Sequence, residues 1–208
     1  MRSRGWVPAV TIVLCLGSSA PSGQPGSRQV AAVGAERAVA VREAMLGLYV
    51  HGVTEELARA FLTRDDVPLL IELLRDPSFP RRDNVAAFLA MLDEGSATAD
   101  LLSFLVAPPV DVDVPEELRA MLVAPQALGR IAARGDIRAL DALLAITRDG
   151  SEGGPFLAGA QRSGQVGRAD DVLESALRGL ALSGADEGRR RLEEIARGSV
   201  RPRSHGGR

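Results

Sequence analysis

Aromatic residues are scarce in this 208-residue chain: Phe, Trp and Tyr make up 3% of it, whereas hydrophobic residues as a whole make up 46%. β-Sheets favour aromatic and β-branched side chains, so this composition argues against a β-rich fold. A core of leucine, alanine and valine suits packed helices, because small side chains let helices approach closely. The chain is long enough to bury a substantial core, as one domain or a small array of repeats.

Histidine and lysine are also rare or missing. His51 and His205 are the only histidines, and all 25 basic residues are arginine, a bias typical of a GC-rich genome. The chain has no H-E-x-x-H zinc motif and no G-x-S-x-G nucleophile elbow. The glycine-spaced stretch 159–166 has no lysine for a nucleotide phosphate. We therefore predict a protein without catalysis, metal or cofactor.

The single cysteine, Cys15, lies in an N-terminal stretch that has the layout of a secretory signal peptide. Basic residues precede the apolar segment 6–16, and the small residues up to Ala20 resemble a cleavage site. We predict a signal peptide over residues 1–20 and a protein exported to the periplasm, the cell envelope or the outside. The apolar segment is too short to span a bilayer. Residues 12–15 also resemble a bacterial lipobox, so a lipid anchor at Cys15 is the alternative.

Acidic residues outnumber basic ones in the middle of the chain. The net charge of the whole chain is −2, but residues 36–194 hold all 27 acids and 18 arginines, which gives −9. Phosphate binding needs a cationic face, so this charge argues against nucleic acid as the main ligand. The other arginines lie near the two ends, including a basic tail, 198–208, that we predict to be disordered.

Glycine, proline and serine mark the domain boundaries. Residues 21–34 are typical of a flexible linker, and we predict one helical domain over residues 35–197. Within it lies a glycine-rich loop, 149–169, with two alternatives left open: a functional insertion or a flexible spacer.

Apolar residues recur at helical spacing along this domain and predict about 8–10 helices. One helix is predicted over 35–50, and separate short helices carry 118–122 and 128–132. The clearest stripes lie on three consecutive segments: Val67, Leu70, Ile71 and Leu74; Val85, Phe88, Leu89 and Leu92; Leu101, Phe104 and Leu105.

An internal echo accompanies these stripes. The stretch Arg64-Asp65-Asp66-Val67, with leucines at 70, 73 and 74, recurs 70 residues later as Arg134-Gly135-Asp136-Ile137, with leucines at 140, 143 and 144. We expect Ile137, like Leu140 and Leu144, to face the core. Such an offset corresponds to about two helix-pair repeats.

The segments 65–77, 82–89 and 101–105 together resemble the HEAT and HEAT-like repeat family. That family alternates a first helix ending in L-L-x-D-x with a second helix opening near V-R-x-x-A-A-x-A-L, and here Ala86 stands where the family has arginine. The resemblance covers about residues 54–197. It implies an all-α fold, a short α-solenoid of antiparallel helix pairs, and a scaffold or partner-binding role. It carries over no catalytic residue.

Four polar residues are the predicted partner contacts. Asp83 and Asn84 open one second helix of a pair, and Asp171 and Glu174 open another, where their spacing also fits a capping box. Second helices line the concave face of such a solenoid, so we expect this face to bind a protein.

The expected function is therefore that of an exported HEAT-like adaptor or scaffold whose protein partner is unknown. One alternative is an accessory subunit or enzyme of the lyase-like HEAT type, and another is a structural protein of the envelope. The acidic cluster Asp111, Asp113, Glu116 and Glu117 offers oxygen ligands suited to calcium, but its position also suits a plain helix start.

Overall fold

The structure is a computed structural model that describes residues 25–50, 52–92, 95–106, 115–148 and 166–198. The predicted signal peptide, Cys15, Asp111, Asp113, loop residues 149–165 and nearly all of the basic tail lie outside these ranges. The chain divides into two units, Met1–Ala35 and Glu36–Arg208. The described part of the first unit is the start of one helix, and the contacts discussed below belong to the second.

The prediction of an all-α fold is confirmed, because the regular structure of the described residues is entirely helical. A 3-10 turn, Arg64–Asp66, directly precedes the helix that begins at Val67. The nine α-helices in the described ranges are α1 (Pro25–Leu46), α2 (Glu55–Phe61), α3 (Val67–Arg75), α4 (Arg82–Leu92), α5 (Thr98–Val106), α6 (Pro115–Ala132), α7 (Ile137–Ile146), α8 (Val166–Ser183) and α9 (Asp186–Ala196).

Two helix boundaries differ from the predicted ones at the N-terminal side. Helix α1 starts at Pro25, so it includes most of the segment 21–34 that the sequence marks as a linker. It stops at Leu46 rather than near residue 50, and Leu48 is 81% exposed instead of lying in the core stripe. The apolar spacing continues past Leu46 in the sequence, because spacing alone does not show where a helix ends.

Helices α2 to α9 pack in two rows. Helices α2, α4, α6 and α8 follow one another in the first row, and α3, α5, α7 and α9 do so in the second. Contacts between the rows join α3 to α4, α5 to α6, α6 to α7, α7 to α8 and α8 to α9. Each helix therefore meets mainly its neighbours in the chain and the helices two places before and after it.

The core runs between the two rows. The predicted stripes of α3, α4 and α5 lie in it: Leu70, Phe88, Leu89 and Leu101 are among its fully buried side chains. Helix α4 is covered on almost every side, with one residue, Ala87, only partly buried. In α7 the buried side is formed by Ala139, Ala142, Leu143 and Ile146, whereas Ile137 is 70% exposed. The expectation that Ile137 faces the core is wrong.

Helix α6 is one continuous helix where we expected two short ones. Pro125 lies in its interior and is buried. Proline lacks an N–H and interrupts the helical ladder. Just before this interruption, the carbonyl of Leu122 accepts hydrogen bonds from the Ser175 hydroxyl of α8 and from Gln126 Nε2 at 3.2 Å. The carbonyl that loses its helical donor is that of Met121, four residues before Pro125. The bond from Ser175 to Leu122 joins α6 to α8 in the same turn.

Helices α6 and α8 approach each other backbone to backbone. A Cβ atom on Gly129 of α6 would overlap the backbone of Gly179 of α8. A Cβ on Gly179 would overlap the carbonyl oxygen of Pro125 and would lie 2.9 Å from Leu143 Cδ2. Glycine is therefore required at both positions for this contact.

Gly129→Ala is expected to lower the free energy of unfolding by about 1–2 kcal/mol net, because overpacking against a rigid backbone outweighs the gain in helix propensity. Urea unfolding measures this change. Gly34→Ala is the matched control, since nothing lies within 4 Å of a Cβ there, and it is expected to be neutral or stabilising. A Gly129→Ala variant as stable as the parent would contradict the close approach of α6 and α8.

Candidate functional site

Two of the predicted contact residues, Asp83 and Asn84, are buried in the first turn of α4, with exposures of 6% and 5%. Asn84 donates from Nδ2 to the carbonyl oxygens of Met45 at 2.7 Å and Gly47 at 2.9 Å. Its Oδ1 accepts a hydrogen bond from Arg81 Nη2 at 3.0 Å. Asn84 therefore holds the end of α1 against α4.

Two arginines pair with the Asp83 carboxylate. It forms an ion pair with Arg81 at 2.9 Å and with Arg119 of α6 at 3.4 Å. Because Asp83 and Asn84 are buried with partners inside the chain, a ligand reaching either one would have to exchange for a contact that already exists. Their role in binding remains a prediction.

The other two predicted contacts, Asp171 and Glu174, are exposed on α8. Glu174 pairs with Arg178 one turn later at 2.5 Å. Helix α8 begins at Val166, so both residues lie inside it, and the expected capping box at Asp171 is wrong. The four predicted residues thus lie on two helices of the first row, each packed against α6.

A buried ion pair joins α4 to α6. Arg82 donates from Nε to Glu117 Oε1 at 3.0 Å, and both residues are less than 10% exposed. The Arg82 guanidinium also stacks over the Phe104 ring of α5, with 5.2 Å to the ring centroid. Buried charges are costly unless they are paired, so this pairing is what allows them inside.

This pairing also bears on the acidic cluster that the sequence suggested for calcium. Glu117 binds Arg82, and Glu116 binds Arg119 at 2.8 Å. Within the part of the chain that the structure describes, no group of three or more His, Cys, Asp or Glu side chains is arranged to hold a metal.

The two aspartates of the internal echo occupy matching places. Asp66 precedes α3 and accepts hydrogen bonds from Thr63 N at 2.7 Å and from Arg37 Nε at 2.8 Å. Asp136 precedes α7 and accepts from Arg138 N at 2.8 Å and from Thr98 Oγ1 at 2.9 Å. Helices α3 and α7 belong to the same row, so the echo places an aspartate before two helices of one row. The local structures differ, because Asp66 ends a 3-10 turn whereas Asp136 has extended backbone and caps α7 directly.

These contacts lower the pKa of both aspartates. The hydrogen bond from Arg37, assisted by those from Thr63, lowers the pKa of Asp66 below its usual value. Burial works to raise the pKa of Asp136, but the hydrogen bonds from Arg138, Thr98 and the backbone outweigh it and lower the pKa. Both carboxylates therefore stabilise the fold in their ionised form.

A groove of about 270 Å³ opens where α2, the 3-10 turn, the end of α4 and the α6–α7 turn meet. We name it the arginine groove. Leu62, Met91 and Leu92 are its apolar residues, all buried to at least nine-tenths. The polar residues that line it are Glu55, Arg59, Thr63, Arg64 and Arg134. The groove thus combines an apolar wall with three arginines and one acid.

The arginines come from separate elements. Arg59 forms an ion pair with Glu55 in α2, and both side chains are more than half exposed. Arg134 donates to the carbonyl oxygens of Ala90 at 2.6 Å and Met91 at 3.0 Å, at the end of α4. A cation at a helix C-terminus complements the helix dipole, and these bonds fix the position of its charge.

The sequence reasoning missed this groove, although it contained a signal. Arg64 and Arg134 are the first residues of the two copies of the echo, 70 positions apart, and both line the groove. Matching positions of the two copies of the echo thus lie in one groove. Nothing in the local pattern of either copy indicated that they meet.

A second groove, of about 370 Å³, lies between α7 and α9 and has a different character. Two of its three arginines pair with acids in the same groove: Arg190 with Glu187 at 2.9 Å and Arg191 with Glu194 at 3.4 Å. Arg148 is the third, and Leu144 is the single apolar lining residue.

In comparisons with known proteins, the chain matches no family model, no curated protein and no solved structure. Among the described helices, none is both long and apolar enough to cross a bilayer.

Removing one member of the buried pair is expected to be costly. Arg82→Met or Glu117→Leu alone should lower the free energy of unfolding by about 3–5 kcal/mol, because each leaves an uncompensated buried charge. The double variant should be more stable than either single one, since no charge remains inside. Urea unfolding of the parent, the two single variants and the double variant measures the four free energies of this double-mutant cycle. Additive losses in the double variant would show that the two residues act independently.

Asp66→Asn is expected to reduce stability at pH 7 by about 1–3 kcal/mol, since it removes a charge-assisted contact with Arg37. The folded pKa of Asp66 is lowered, so its contribution is complete above the usual pKa of 3.8 and is lost as the pH falls through the folded pKa. The variant should therefore show a smaller loss of stability on acidification from pH 5 to pH 2. Asp141→Asn, at an exposed position of α7, is the control and should keep the parent pH profile. An unchanged profile in Asp66→Asn would refute the assignment.

Proposed function

We propose that this chain is an exported, non-catalytic helical-repeat protein of the HEAT-like kind that acts as a scaffold or adaptor for a protein partner. The observation that carries the proposal is the packing in two rows. The helices that pack together are chain neighbours or stand two places apart in the chain, as expected for stacked helix pairs.

The positions of Asp66 and Asp136, each directly before a helix of the second row, support the same proposal. An array built from one repeating unit places equivalent residues at equivalent helix starts, and these aspartates precede α3 and α7 of the same row. Their different partners, Arg37 for one and Thr98 for the other, fit a repeat whose copies have diverged.

Exposed apolar residues after α1 and at the end of α2 support partner binding. Leu48 and Val50 follow α1 and are 81% and 77% exposed, and Phe61 at the end of α2 is 49% exposed. Exposed apolar residues mark interaction surfaces where they form a contiguous patch. The arginine groove begins beside Phe61, at Leu62.

The experiment is to express the chain with a C-terminal tag in a bacterium and identify what co-purifies from the envelope fraction. We expect a reproducible partner in a fixed ratio, and a mature protein whose N-terminal sequence begins near residue 21. A reporter carrying residues 1–20 alone controls for export. Retention of Met1 in a cytosolic protein would reject the export proposal, and an envelope protein with no partner would reject the scaffold role.

A further inference from the structure

We draw no further inference here: the strongest candidate, the surface patch of exposed apolar side chains at Leu46, Leu48 and Val50 where α1 ends, carries none because nothing in the structure shows what covers it.

Discussion

Burial along α6 is the constraint on which the rest of the structure depends. This helix packs against α4 and α8 in its own row and against α5 and α7 in the other. Met121, Leu128 and Ile131 are fully buried at its centre, and each such side chain contributes about 1.5–3 kcal/mol. The glycine contact with α8 sets how close the first-row helices lie. A shift of α6 would therefore disturb both rows at once.

Polar contacts set the positions of the helices that apolar packing holds together. Arg82 and Glu117 fix the start of α4 beside the start of α6, and Asn84 holds the end of α1. Asp66 and Asp136 hold two helix starts of the second row. Because these groups are buried and paired, their directions are specific, whereas apolar packing alone tolerates sliding. Asp66 and Asp136 stand two residues after Arg64 and Arg134, which line the arginine groove.

Sequence reasoning succeeded where the pattern is local. The stripes of α3, α4 and α5 are buried as expected, because residues three and four apart share a helix face. It failed where distant residues decide. Separate short helices were expected at 118–122 and 128–132, but α6 is continuous through Pro125 and is bonded to Ser175 of α8 at Leu122. Asp83 and Asn84 have partners in α6 and at the end of α1 that no local pattern indicated, and their role in binding stays a prediction.

The sequence by itself determined that the chain is helical, where most of the core stripes lie, and that two stretches 70 residues apart are alike. These follow from composition and from short-range periodicity, which depend on neighbouring residues only. The tertiary structure alone decided which face of each helix is covered and that Arg59, Arg64 and Arg134 line one groove. Those properties depend on contacts between residues far apart in the chain, and no local spacing encodes which distant helix will pack against a given face.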